Sequence, residues 1–308
     1  MKILLPPITL LILSFNLNAQ NMNSEYTEKV RNNASTFHQN FSTGDFEKNG
    51  ELVNEKIYVN SNNAIVIGRH NFIERIKRFN TPFPTLQLKD RIIIVDENQV
   101  GLLYIMQGTQ DGPYGNIPAS GNKINVYAAE FFTMDDDAKM KELLTITQLD
   151  QLMKQITGAD QVASYENVTL LPIKKTDADF KRTIKNNLDF YVQNFNSRDW
   201  LNLKKMFLPD APIIVNGTVF KGADPLIDQL KNLVSEVPDM TYLLIRNVAE
   251  GDRGSIAYEV HGTINQGTTL NKKLVDVKQG IHFQFTPEGK ISNAVIIFNS
   301  NDFQSQLK

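Results

Sequence analysis

The feature that most constrains this 308-residue chain is that it is written twice. The segment RNNASTFHQNFSTGDF around Asn32-Asn33 matches KNNLDFYVQNFNSRDW around Asn186-Asn187. Phe41 aligns with Phe195, Asp45 with Asp199, Gly68 with Gly222, Pro84 with Pro238, Gly108 with Gly262 and Phe131 with Phe285, each pair 154 residues apart. Past the Met134–Asp137 turn, Lys139 meets Lys290 at an offset of 151, so a shorter turn is expected there in the second copy. A period this long lies far outside that of solenoid repeats and implies duplication of a whole domain. Two domains also suit the length, because single cores stop growing near roughly 250–300 residues.

Each copy reads in the same order. Val30, Ala34, Phe37 and Phe41, and again Ile184, Leu188, Tyr191 and Phe195, recur at helical spacing and give one apolar stripe. Asp45 and Asp199 are placed to cap a second short helix, a strand follows, and Gly68 or Gly222 opens a third helix that proline ends. The rest of each copy is a strand meander with hairpin turns such as Gly-Asp-Arg-Gly and Pro-Glu-Gly-Lys. Helices first and strands after predict an α+β domain, with helices packed on one face of a curved antiparallel sheet. The expected units are a leader over 1–19, a first domain over 20–158, a linker over 159–176 and a second domain over 177–308.

The leader expectation rests on MKILLPPITLLILSFNLNAQ, which has one Lys, an apolar run from Ile3 to Phe15 and a polar end at Ala19. That order is the one a secretory signal peptide shows, with cleavage after Ala19. The run is shorter than the about 20 apolar residues that span a bilayer. With no cysteine, disulfides and thiolate metal sites are excluded, which fits export without requiring it. A formal charge of −2 supplies no basic field, so nucleic acid is not an expected partner. No dinucleotide fingerprint, P-loop or nucleophile elbow occurs, and no histidine spacing suggests a metal. No cofactor is expected.

The residues FKGADPLIDQL and VPDMTYLL, their counterparts IGRHNFIERI and FPTLQL, Gly108-Thr109, the Pro118–Gly121 loop PASG and the turn before Lys139 together resemble the SnoaL-like polyketide cyclases. Those belong with nuclear transport factor 2 and ketosteroid isomerase. The resemblance implies two tandem cone-shaped domains, each enclosing an apolar pocket, in a family that includes both enzymes and binding modules. It also implies where the chemistry would lie. The family's acid/base aspartate falls about seven residues before a terminal Gln-Leu, which lands on Gln148 (from Gln155-Ile156) and on Asn299 (from Gln306-Leu307). An amide can donate or accept a hydrogen bond but cannot take a proton near neutral pH. The family's histidine after the Gly-Thr pair is Gln110 here and Ile264 in the second copy.

The remaining candidates are fewer. Glu142 shares an alternation face with Leu144, Ile146 and Gln148, and Asp150 lies two residues beyond Gln148, either as acid/base or as the cap of the terminal helix. Tyr104 and Tyr258 occupy equivalent positions and can act as hydrogen-bond donors in a pocket or as core aromatics. Glu130 reads equally as inward or solvated, His38 and His70 as surface or packing residues, and His282 as facing either way. The preferred expectation is an exported binding module that holds a small apolar molecule against Tyr104, Gln110, Gln148, Tyr258 and Asn299, with its domains paired through their sheet faces. The alternative is a cyclase, isomerase or hydratase acting on a ketone or ester, with Glu142 or Asp150 as base.

Overall fold

The protein is described here by a computed structural model over residues 8–265 and 272–300; side chains are described from residue 24 onward, apart from residue 265 and residues 272–276. Gln306 and Leu307, and the first seven residues of the expected leader, lie outside the described residues.

The first copy begins with helix α1 (Ile8–Thr43), which runs through most of the expected leader, followed by α2 (Phe46–Glu51). Strands β1 (Val53–Ser61) and β2 (Ala64–Ile67), helix α3 (Arg69–Asn80), strands β3 (Gln87–Asp96), β4 (Gln99–Thr109), β5 (Lys123–Met134) and β6 (Met140–Thr147), and helix α4 (Leu149–Ile156) complete it. The second copy repeats the plan as α5 (Ala178–Asn196), α6 (Trp200–Lys205), β7 (Pro212–Val215), β8 (Thr218–Lys221), α7 (Asp224–Glu236), β9 (Thr241–Glu250), β10 (Arg253–Asn265), β11 (Lys272–Phe285) and β12 (Ile291–Phe298). The apolar stripes do what their spacing requires: Val30, Ala34, Phe37 and Phe41 are buried in one core, and Ile184, Leu188, Tyr191 and Phe195 in the other. Of the two expected caps, Asp199 accepts from the Asn202 N–H at 3.0 Å, whereas Asp45 makes no cap and pairs with Lys48 at 2.9 Å. No described helix is long and apolar enough to cross a membrane.

The strand orders are β2-β1-β6-β5-β4-β3 and β8-β7-β12-β11-β10-β9. The expectation of purely antiparallel sheets is corrected here. β1 runs parallel to β6, and β7 parallel to β12, because the third helix carries the chain away between the opening hairpin and the meander. The short strands β2 and β8 were not foreseen; at four residues each they carry too little pattern to read.

Strand register also relocates the length difference between the copies. Thr109 faces Lys123, 14 positions on, whereas Thr263 faces Leu274, 11 positions on. Met134 faces Met140 and Phe285 faces Ile291, each 6 positions on. The three-residue difference therefore lies in the β4–β5 connection, and the turn after Met134 keeps its length. Phe131 corresponds to His282, so its alignment with Phe285 fails.

Each sheet has a second buried face. An apolar cluster combines Ile94, Leu103, Phe131 and Ile146 of the first copy with Val248, Ala257, Val295 and Ile297 of the second. Glycine permits the approach from both sides: a Cβ on Gly280 would sit 2.9 Å from the Ala129 Cβ, and one on Gly101 2.9 Å from the Ser255 Cβ. The His282 ring stacks on Phe131 at 5.9 Å with its Nδ1 3.1 Å from the Ser255 hydroxyl, and burial pushes its pKa down to about 3, which keeps it neutral. Charged pairs surround the apolar patch. Glu250 binds Arg31 and accepts from the Val95 N–H at 2.7 Å, while Asp96 binds Lys181 and, at 2.8 Å, Lys185. Replacing Gly280 with Val is expected to cost about 1–3 kcal/mol by overpacking against Ala129 and Phe131. Chemical denaturation checks this, and unchanged stability would mean that the sheets do not touch there in solution.

Candidate functional site

The first copy holds a cavity of about 270 Å³ between its helices and the concave side of its sheet. Phe37 and Phe41 of α1, Phe72 and Phe79 of α3, and Met106 of β4 form apolar walls. The polar lining gathers at the buried end, from Tyr104, Glu130, Thr145 and Thr147. Arg75 and Tyr114, both half-buried, line the end nearer solvent.

A carboxylate at the buried end needs partners, because burial disfavours charge. Glu130 is 6% exposed and has three. Its Oε1 accepts from the Tyr104 hydroxyl at 3.0 Å and the Thr145 hydroxyl at 3.1 Å, and its Oε2 lies 3.1 Å from His38 Nε2. The other ring nitrogen, Nδ1, lies 2.5 Å from Asp90 Oδ1. Burial by itself would lower the pKa of His38, but the charge and hydrogen bond of Asp90, then those of Glu130, outweigh it and raise the value to about 10. Both ring nitrogens therefore donate, and the imidazolium sits between two carboxylates. The Tyr104 hydroxyl is raised well above its usual range by burial first and by the Glu130 charge second, so it stays protonated. The buried end thus presents acceptor oxygens and suits a ligand group that donates a hydrogen bond.

Of the seven residues singled out in the sequence, Tyr104 alone lines this cavity. Gln148 faces the other way: its side-chain oxygen accepts from the Tyr127 N–H at 3.0 Å and its amide donates across the domain boundary to Asn216 at 3.2 Å. Strand alternation turns its neighbour Thr147 inward instead, and in the second copy Phe298, one place before Asn299, lines the pocket. Glu142 is 41% exposed and is bound by Arg246 at 2.5 Å and by the Thr133 hydroxyl at 3.1 Å, so it is an ion-pair partner of the second copy. Asp150 accepts from Ser300 of the second copy at 2.5 Å and caps nothing; the N-cap of α4 is Gln148. Gln110 clips the loop after β4, accepting from Ser120 at 2.7 Å and donating to the carbonyls of Gly112 and Pro118, and so sets the loop that carries Tyr114. Tyr258 donates to Gln279 at 2.6 Å and stacks on Tyr242 within the core.

The sequence left Glu130 as either inward or solvated and His38 as a surface or packing residue, and did not point to Asp90; the structure brings all three into the site. A signal existed, since His38 follows Ala34 by four on the apolar stripe and Glu130 interrupts the run AAEFF. In the second copy the corrected strand register sets Ile281 against Glu130, Leu244 against Asp90 and Ile296 against Thr145, and the 154-residue offset of the first helix sets Val192 against His38. The second cavity, about 300 Å³, is lined by Tyr242, Val260, Gln279 and Phe298 among others, and has no buried charge among the described residues. Among the described residues, no group of His, Asp and Glu is arranged to hold a metal ion.

A helix layer on a curved six-stranded sheet, twice over and with a cavity in each, defines the cone-shaped class of nuclear transport factor 2-like domains. Residues 32–156 match the family model of the SnoaL-like polyketide cyclases and residues 188–294 match that of the SnoaL-like domain. The chain belongs to the SnoaL-like family, as two domains in tandem. Similar solved structures include a protein assigned to the SnoaL-like polyketide cyclases from Jannaschia sp. CCS1, at 21% identity and TM-score 0.40, covering 42% of this chain and 93% of that one. TsrD from Streptomyces laurentii matches at 21% identity and TM-score 0.39, covering 42% of this chain and 95% of that one. A SnoaL-like polyketide cyclase from Agrobacterium tumefaciens str. C58 matches at 13% identity and TM-score 0.36, covering 41% and 96%. No curated protein matches the sequence.

The array makes a signed prediction. His38 has a folded-state pKa of about 10 against 6.5 unfolded. A raised value gives stability that is complete below about pH 6.5 and is lost as pH climbs through about 10. His38→Gln, which strands two carboxylates, is expected to cost about 3–5 kcal/mol near neutral pH. That gap from the unmodified protein should narrow steadily between pH 6.5 and 10 in denaturation curves. A gap that does not vary with pH would mean that His38 is neutral in the native state.

Proposed function

We propose that this is a tandem SnoaL-like binding protein whose first domain holds a small, mainly apolar molecule by its hydrogen-bonding end. The observation that carries the reading is the cavity of about 270 Å³ with aromatic walls and a buried acceptor end at Glu130 and Tyr104. Its size is just below the range usual for small-molecule sites, and its few convergent polar groups on apolar walls are typical of them. The second domain serves as scaffold: its sheet covers the first domain's outer sheet face, so the duplication acts as an intramolecular dimer. The domain limits follow the repeat, with 159–176 as linker, and the Met1–Ala19 segment directs export and is cleaved. N-terminal sequencing of the exported protein should then begin at Gln20.

2-Naphthol carries one donor on a flat apolar body and is a suitable probe. Calorimetry should show one site per chain. Thr147→Phe, which places in the first cavity the residue that the second copy holds as Phe298, should abolish binding while leaving the fold intact by circular dichroism. Saturable binding that survives Thr147→Phe would move the site elsewhere.

A second reading, a proton-transferring cyclase or isomerase, is favoured by the Asp90–His38–Glu130 line ending at the cavity. In this reading Glu130 is the group that takes the proton and His38 holds its charge. Deuterium uptake at the α-carbons of 2-tetralone, followed by NMR, should then exceed the buffer rate and fall at least about 100-fold in Glu130→Gln. Exchange at the buffer rate leaves the binding reading alone.

A further inference from the structure

We propose that the ligand of the first domain is an amphipathic monoanion, a small carboxylic acid whose carboxylate is held by Arg75 at the outer end of the cavity. This rests on the binding reading above and adds the ligand's charge and its orientation.

Arg75 lies on α3 and lines the cavity, half-buried. On that helix Arg69 pairs with Glu55 at 2.9 Å, and Lys77 with Glu47 at 2.8 Å and Glu74 at 3.1 Å; Arg78 has no such ion pair but is exposed and is not among the residues lining the cavity. Arg75 has no ion-pair partner among the described residues. It does lie near the Tyr114 hydroxyl, where its charge partly offsets the effect of burial on that group. A half-buried guanidinium lining a mainly apolar cavity is an unfilled half of a charge-assisted pair, and its planar fork matches a carboxylate.

Three further observations restrict the charge. Among the described residues a single cation lines the cavity, and it neutralises a single negative charge. The buried end is already acidic, with Glu130 and Asp90 flanking one imidazolium, so a dianion would meet repulsion that a monoanion largely avoids. Arg75 and Glu130 sit on different elements and at opposite ends of the exposure gradient, so anion and donor belong to opposite ends of the ligand. The position equivalent to Arg75, 154 residues on, is Gln229, which lines the second cavity as a neutral amide. Among the described residues, cation and buried array occur together in one domain and neither lines the cavity of the other.

The test compares 6-hydroxy-2-naphthoate, 2-naphthol and the dianionic 6-hydroxy-2-naphthyl phosphate by calorimetry on the full chain. The naphthoate should bind the unmodified protein about 10-fold or more tighter than 2-naphthol, an increment of about 1.4 kcal/mol, and tighter than the phosphate. Arg75→Gln should remove the naphthoate's advantage over 2-naphthol, whatever it does to 2-naphthol itself, with circular dichroism reporting an intact fold; Arg75→Lys should restore part of that advantage. Raising salt should weaken the naphthoate and spare 2-naphthol. If 2-naphthol binds but the naphthoate gains nothing, or keeps its gain in Arg75→Gln, the anion assignment is overturned and the binding reading stands. A tighter phosphate overturns the monoanion. If neither 2-naphthol nor the naphthoate binds, the binding reading fails and the inference with it.

Discussion

The close approach of two curved sheets, back to back, is the constraint on which the rest of the structure depends. A sheet with helices on one face leaves the other face to water or to a partner. Here Gly101 and Gly280 remove the side chains that would hold the two backs apart, and Phe131, Val248 and Ile297 fill the space between them. Burial on both faces explains why β4 and β5 read as nearly unbroken apolar runs, which is unusual for antiparallel strands. It also explains His282, a histidine kept neutral against Phe131 because no charge reaches it.

The same contact determines what Gln148 does. Gln148 sits where β6 ends beside the second domain, and there its amide is satisfied on both sides, by the Tyr127 N–H and by Asn216. An amide suits this place because it both accepts and donates; a carboxylate would leave the Asn216 oxygen facing a like acceptor. Glu142 and Asp150 are likewise taken up by Arg246 and Ser300. Groups that look chemical in the sequence are thus the polar rim of an interface, and the polar chemistry of the cavity comes from other strands.

The duplication, the helix stripes and the strand order were legible because each depends on local periodicity. The buried site was less so, for two physical reasons. In a strand buried on both faces, alternation no longer separates inward from outward, so Glu130 within AAEFF had no readable direction. The rest of the charged array comes from α1 and β3, 92 and 40 positions from Glu130, and only folding brings His38 to Glu130 and Asp90 to His38. Comparison of the copies held the missing clue but was applied three residues out of register. With Phe131 set against Phe285, Glu130 fell opposite Gln284, a polar residue; in the true register it faces Ile281.

That correction turns the second domain into a control for the first. A buried carboxylate–imidazolium–carboxylate line is costly, and apolar residues of similar volume commonly replace such groups without loss of stability. The second domain makes that replacement, with Val192, Leu244 and Ile281 in the three places, and builds the same six-stranded sheet around an apolar core. The fold therefore does not need the array. A stability role is a weak explanation for three charges that the sister domain does without, whereas a role toward the cavity accounts for their position. Glu130 is the member that reaches the cavity wall, and His38 and Asp90 lie behind it as the groups that hold its charge there.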